Sequence, residues 1–295
     1  MDTDNKLRVN FPPDPNPKPL RFQPPPGTCD THFHVFGPPH AFPYVEERLY
    51  TPPAAPIEHW LLVSLAVGIE RGILVQPNVH GFPTDVTVDA IEKSDGRLRG
   101  MIRADPNLTF ETAKVLNDKG IRGIRFNFAG HLGGTMDTAL YERIVGVVAP
   151  LGWVIDLHID ADRLVENAEM IRSTQAPVLI DHFGRIDGKL GTNQPGFRTL
   201  YDLLGENHVW VKVSGADRLI ALGASYEQVV PLARALIERA PDRVVWGTDW
   251  PHSNVFEPGK VPNDGDLMNM MMDFAPDDAQ RNKVLAENPA KLFGF

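Results

Sequence analysis

Two histidines stand one residue apart in "DTHFHVFG", residues 30 to 37, inside a short apolar run that reads as a β-strand. The period of two in a strand puts Asp30, His32, His34 and Phe36 on one face and leaves Cys29, Phe33 and Val35 for the other. The pattern recurs further along the chain. "WVIDLHID" puts Asp156, His158 and Asp160 on one face against Ile155, Leu157 and Ile159. "APVLIDHFG" ends with His182 on the face of Ile180, and "RVVWGTDWP" ends with Asp249. Neutral imidazoles and a carboxylate suit a borderline divalent cation, and three nitrogens with one oxygen can complete a zinc site that still has room for water. Isolated polar residues at strand ends are the alternative, weakened by their recurrence on four separate strands.

Two arginines extend the set. In "GIRGIRFNF" the alternation places Arg125 and Asn127 with Gly123, opposite Ile124, Phe126 and Phe128. Arg218 follows the run "VWVKVSG" at the same end. An inward arginine is costly unless it meets an anion, and its planar fork matches a carboxylate. A substrate carboxylate and a structural aspartate are both candidates for that anion. His80 and Tyr50, in loops after the first two strands, are further candidates for orienting a substrate. The single cysteine, Cys29, excludes an internal disulfide and reads as a small strand residue rather than a nucleophile.

The elements that must position these residues alternate regularly. Eight apolar runs, "TCDTHFHVF", "GILVQPN", "LRGMIRADP", "GIRGIRFNF", "WVIDLHID", "APVLIDHFG", "VWVKVSG" and "RVVWGTDWP", read as strands. Between them "EHWLLVSLAVGIERG", "TFETAKVLNDKG", "DTALYERIVGVVAPLG", "DADRLVENAEMIRS" and "SYEQVVPLARALIERA" have helical periodicity. Strands apolar on both faces, at even spacing, predict an α/β chain folded as a (β/α)8 TIM barrel with its chemistry at the carboxyl ends of the strands. A doubly wound open sheet is weakened by the missing glycine-rich loop after the first strand. Residues 1–27 hold eight of the 27 prolines and predict an extended arm, leaving 28–295 as one domain. The net charge of −9 disfavours nucleic acid and anionic membrane as partners. No stretch approaches the ~18 apolar residues of a membrane span, and "MDTDNKLRVN" lacks the apolar core of a signal peptide, so the expected location is cytoplasmic. Oligomeric state is not legible.

The motifs "DTHFH", "GIRFNF", "VLIDHFGR" and "VVWGTDWPH", with "ENPAKLFGF" closing the chain, resemble the amidohydrolase superfamily from about Pro24 to Phe295. They are most similar to the branch holding 2-pyrone-4,6-dicarboxylate lactonase, sulfomuconolactone hydrolase and galactarolactone isomerase. The resemblance implies a distorted barrel with a hydrolytic site, His32 and His34 as first-strand metal ligands, His158 and His182 as the histidines of strands five and six, and Asp249 as base. The chain departs from the metal-free pyrone lactonases at two places. His158 stands where they carry a tyrosine, and "AGHLGG", with His131, replaces a second arginine. No lysine on strand four offers a carbamate bridge, so the resemblance implies one metal.

The function expected from these pieces is opening of a carboxylate-bearing lactone, a small-molecule substrate, by water activated on Zn²⁺. His32, His34, His158 and Asp249 would hold the ion, and Asp249 would take the water proton. His182 would donate to the carbonyl oxygen, and Arg125 and Arg218 would hold the carboxylate. The alternatives are a metal-dependent decarboxylase of an aromatic or unsaturated acid, a metal-free lactonase, and a barrel that binds carboxylates without turnover.

Overall fold

The computed structural model describes residues 7–130, 137–221 and 224–295. His131 lies outside them. Eight strands hydrogen-bond in chain order, each parallel to the next: β1 (Cys29–Phe33), β2 (Arg71–Val75), β3 (Leu98–Arg103), β4 (Ile121–Asn127), β5 (Val154–His158), β6 (Val178–Ile180), β7 (Val209–Lys212) and β8 (Val244–Val245). One strand falls in each expected run. The helices outside are α1 (Ile57–Ala66), α2 (Asp85–Glu92), α3 (Phe110–Asp118), α4 (Thr138–Val148), α5 (Ala161–Glu166), α6 (Ala168–Ser173), α7 (Pro195–Leu203) and α8 (Val230–Arg239). A carboxyl-terminal group follows, α9 (Asp264–Asn269), α10 (Met271–Phe274), α11 (Asp278–Asn282) and α12 (Asn288–Phe293). The helix expected over 160–173 is split in two at Asn167, whose side-chain amide bonds the Arg163 carbonyl at 2.7 Å and competes with helix continuation.

The barrel closes beyond the short β8. Thr31 N–H donates to Trp246 O, Asp249 N–H to His32 O, and His34 N–H to Trp250 O, at 3.0, 2.8 and 2.7 Å. Gly247 makes this approach possible, because a Cβ there would lie 2.6 Å from the His32 nitrogen. At the amino-terminal end, Cys29, Ile73, Val75, Met101, Val154, Leu179, Trp210 and Val245 form a small cluster drawn from seven strands and capped by Phe293. β4 contributes Gly123 to this layer, where a Cβ would sit 2.8 Å from the Val154 carbonyl oxygen.

The cluster corrects the expected phase of the first strand. A bulge between Asp30 and Phe33 inserts one residue relative to β2. Cys29 therefore joins the interior cluster, and Asp30 turns toward Trp60 of α1 (3.3 Å) and Thr248. Beyond the bulge His32 and His34 regain the inward face, while Phe33 stacks on Trp60 in the outer core. Phe36, expected inward, packs there too, edge-on to Tyr50.

Residues 7–27 form no helix or strand and lie against α9. Asn263 Oδ1 accepts from the Lys18 amide at 2.8 Å, and Lys18 pairs with Asp266 at 2.6 Å. Among the described residues no helix is long and apolar enough to cross a membrane.

Candidate active site

Above the apolar plug the barrel interior becomes ionic. Asp156 (β5), Asp181 (after β6) and Lys212 (β7) are fully buried. Lys212 Nζ lies 3.0 Å from Asp181 Oδ1, 3.5 Å from Asp156 Oδ1 and 2.8 Å from His32 Nδ1. Arg125 of β4 reaches the same two carboxylates, with Nε 3.2 Å from Asp156 and Nη2 against Asp181. Burial and the neighbouring Asp181 raise the Asp156 carboxyl to about 6. Burial pushes Asp181 the same way, but His182, His32, Lys212 and Arg125 hold it well below the usual carboxylate range.

On this floor stand the histidines and Asp249. Asp249 Oδ1 is 3.6 Å from His32 Nε2 and 3.5 Å from His34 Nε2, and the two imidazole nitrogens are 3.4 Å apart. Its other oxygen accepts from Arg218 Nη2 at 2.8 Å and Nε at 3.2 Å. Burial would raise this carboxyl, yet Arg218, His182 and the histidine pair keep it well below its ordinary value. His182 Nδ1 meets Ser214 Oγ at 2.9 Å. Burial lowers its pKa to about 4, so the ring is neutral at neutral pH.

The backbone explains how His182 reaches the mouth. The strand alternation gives its inward position to Asp181, so His182 does not simply continue the strand. It enters a left-handed turn at φ 44°, followed by Phe183 at φ 56°, that returns its ring to the interior. Asp249 is also left-handed, at φ 63°.

The His32, His34 and Asp249 triangle fits a metal ion. Ligand atoms about 2.1 Å from a tetrahedral ion stand roughly 3.4 Å from one another. His34 Nδ1 donates to the Val75 carbonyl at 2.7 Å, leaving a lone pair on Nε2. His32 Nδ1–H donated to Asp181 Oδ1 at 3.1 Å does the same. With Lys212 donating to Nδ1 instead, Nε2 carries the proton, so a bound ion selects the first tautomer. His32, Asp181 and His182 form a second convergent group, but Asp181 is already engaged by Lys212 and Arg125.

His158 belongs to neither group. It ends β5 beside Asn127 of β4, whose amide oxygen lies 3.1 Å from its Nδ1, and its ring centroid is 5.7 Å from that of His182. Among the described residues the fourth ligand expected of it is therefore not one of the convergent atoms, and its ring stands beside Asn127 and His182.

A cavity of about 650 Å³ opens over the triangle, reached by His34, Asp249, His182, His158, Arg125, Arg218 and Tyr50. Tyr50 is buried and its hydroxyl pKa is raised to about 12, by burial first. His80 does not line the cavity. Its Nδ1 meets the Pro43 carbonyl at 3.3 Å and its ring packs edge-on to Tyr44. Arg125 and Arg218, expected to hold a substrate carboxylate, are paired with barrel aspartates while still lining the space.

Lys212, Asp181 and Asp156 carry no role in the sequence reading. Their signal is a charge on the inward phase of an otherwise apolar strand, clearest for Lys212 in "VWVKVSG".

The chain is similar in sequence and fold to known proteins. A family model described as amidohydrolase matches residues 29–295. The chain is 49% identical over 277 residues to a 4-sulfomuconolactone hydrolase of Hydrogenophaga intermedia, covering 94% of this chain and 91% of that protein. It is 34% identical to a 2-pyrone-4,6-dicarboxylate hydrolase of Comamonas testosteroni, covering 94% and 93%. A crystal structure of a probable 2-pyrone-4,6-dicarboxylic acid hydrolase from Acinetobacter baumannii, with citric acid bound, superposes with a TM-score of 0.80 at 27% identity, covering 91% of this chain and 100% of that one. With the family model spanning the whole barrel and relatives 49% and 34% identical over nearly the full length, the chain belongs to the amidohydrolase family.

Proposed function

We propose that the protein hydrolyses a lactone carrying at least one carboxylate. The observation that carries this reading is Asp249, one oxygen facing the His32 and His34 nitrogens and the other held by Arg218, on the floor of a cavity beside His182. The relatives named as sulfomuconolactone and pyrone-dicarboxylate hydrolases support the bond type and the charged substrate.

Asp249 is ionised and accepts a proton from the attacking water as its oxygen bonds to the lactone carbonyl carbon. With Ser214 donating to Nδ1, neutral His182 carries its proton on Nε2 and donates it as a hydrogen bond to the carbonyl oxygen as charge builds there. Such a donor contributes on the order of 3 kcal/mol. The ring C–O bond then breaks, and the proton held by Asp249 passes to the leaving oxygen, giving a hydroxy acid. Arg218 keeps Asp249 ionised and aimed, and with Arg125 it places positive charge against the substrate carboxylate. A divalent ion held by His32, His34 and Asp249, zinc by its donor set, would lower the pKa of a water there toward ~7.

One observation favours a metal-free version. Asp156, Asp181 and Asp249 each meet Lys212, Arg125 or Arg218, so none of the three needs an ion for a partner, although Arg218 is shared with Asp217. Metal analysis and a panel of carboxylated lactones test both. Acid release with about one equivalent of zinc, lost together on chelation, supports the metal mechanism. Undiminished rates in metal-stripped enzyme assign catalysis to Asp249 and His182 alone. Evolution of CO₂ from an unsaturated acid, with no lactone opened, overturns the hydrolase reading.

A further inference from the structure

The amino-terminal arm meets both loops that flank the barrel seam, the one after β1 and the one after β8. Its prolines at 12, 13, 15, 17 and 19 have no N–H to donate, so the residues just before them make the attachment. On the β1 side Asn10 N–H donates to Thr51 O at 3.0 Å, and Thr51 N–H donates to Arg8 O at 2.9 Å. On the β8 side Phe11 N–H donates to Val255 O at 2.9 Å.

The Asn10 side chain completes the join. It is only 2% exposed, and its amide is employed at both ends. Oδ1 accepts from Val255 N–H at 2.8 Å, while Nδ2 donates to Phe11 O at 2.6 Å and to His252 O at 3.3 Å. The bonds to His252 and Val255 bracket Ser253 and Asn254, both of which line the cavity. His252 and Asn254 are left-handed, at φ 63° and 65°. A residue other than glycine keeps that conformation where its surroundings over-determine it. His252 Nε2, 3.2 Å from Asp264 Oδ1, pins the start of this turn to α9, and Asn10 holds it from the side of the arm. The turn in turn holds Tyr50, whose hydroxyl bonds the Ser253 side chain. The Tyr50 ring stands edge-on to Phe256 at 6.3 Å, and the Arg8 guanidinium lies 3.8 Å over that same Phe256 ring.

We propose that Asn10 is a positioning residue for the active site, tying the turn 252–255 to the loop that carries Tyr50 and so fixing the Tyr50 and Ser253 wall of the cavity. The arm is then a working part of the site, although none of its residues lines the cavity. This role holds for any ligand that rests against the wall, and it depends on the lactonase reading only for calling that ligand a lactone. Asp249 is anchored separately, by Arg218 and by its own N–H to His32 O.

Steady-state kinetics on the lactone panel and calorimetric titration with isophthalate, a non-hydrolysable carboxylated ring, test the role in the full-length protein. N10A raises KM and the isophthalate Kd about five- to tenfold, the scale of one hydrogen bond, and leaves kcat within about twofold. Partial unfolding would do the reverse, lowering the active fraction and with it kcat while KM stayed put. Y50F removes the hydroxyl that Ser253 holds, so in that background N10A adds less than about twofold to the Kd. Lys18→Ala, which removes the arm's ion pair with Asp266, keeps the wild-type KM and Kd. An N10A protein with wild-type KM and Kd, a shift undiminished by Y50F, or an equal shift in Lys18→Ala overturns the role. Turnover of no lactone on the panel, with the pattern of Kd values preserved, overturns only the hydrolysis reading.

Discussion

The two oxygens of Asp249 have different neighbours, and the expected chemistry follows from that division. Oδ2 is neutralised by the Arg218 fork, while Oδ1 faces two imidazole nitrogens. In Asp249→Asn the amide keeps the shape but cannot accept a proton, so kcat falls about 10²–10⁴-fold while a non-hydrolysable carboxylated ring still binds. A near-native kcat removes Asp249 from the role of base. Much of this site is legible from residue type and phase. His32, His34, His158 and Arg125 all stand on the inward face, as their alternation predicts. The ionic floor is not legible in the same way, because a lone Lys212 or Asp181 within an apolar run looks the same whether it is buried and paired or placed at a frayed strand end. Arg103 and Arg48 illustrate a different limit. Each bonds a backbone carbonyl, and among the described residues neither has a carboxylate within ion-pair distance, whereas a sequence records residues without recording which of them meet.

At the scale of elements, the site depends on departures from regular geometry. The bulge in β1 moves Asp30 out of the barrel to accept from Thr248 N at 2.9 Å, Thr248 Oγ1 at 2.6 Å and Trp60 Nε1 at 3.3 Å, tying the first strand to the segment that carries Asp249. The left-handed residues His182 and Asp249 turn their side chains back over the mouth. These departures are why the strand runs are read correctly from sequence while the phases of Cys29, Asp30 and His182 are not. Period-two reasoning holds only as long as the ladder stays regular. The tight approach at the seam gives a sharp test. In Gly247→Ala the new methyl meets the His32 amide nitrogen at 2.6 Å and the Asp30 carboxylate at 2.9 Å, both rigidly held. The barrel seam must open, with a stability loss of about 1–3 kcal/mol and a larger loss in kcat than in binding, because His32 and Asp249 part. Thermal melting and steady-state kinetics together check this, and an alanine variant with wild-type values for both would show that the seam is compliant.

Over the whole molecule, the buried ionisable groups set how stability changes with pH. Burial lowers His182 to about 4 and takes His32 and His158 well below their ordinary range. An unfolded chain binds protons at these rings below ~6.5 that the native protein refuses, so each contributes stability that is present above that pH and is lost as the pH falls. Asp30 and Asp156 act in the opposite sense. Both are raised to about 6, so the native state holds protons that the unfolded chain releases from ~4 upward. His80, lowered by burial, adds to the first set, and His252, which Asp264 raises against its burial, adds to the second. Four groups oppose three, and stability should decline gently from pH 7 to about 4. Below that Asp181 and Asp249, held ionised by their cations, add a steep loss. Urea unfolding midpoints in chelating buffer measure the curve, and a protein that grows more stable between pH 7 and 5 would contradict it. The barrel itself is legible at this scale because eight apolar runs separated by helical segments allow few arrangements. Its closure has one more consequence, for the newly made chain. Asp30 and Thr248, whose bonds help seal the seam, are 218 positions apart. During synthesis His32 and His34 therefore emerge long before their carboxylate. Until the last strand arrives, β1 and β7 are bare edges of an open sheet, able to pair with a neighbouring chain. A ribosome stalled short of residue 244 thus yields no weakened enzyme, only a sheet seeking another copy of its missing strand.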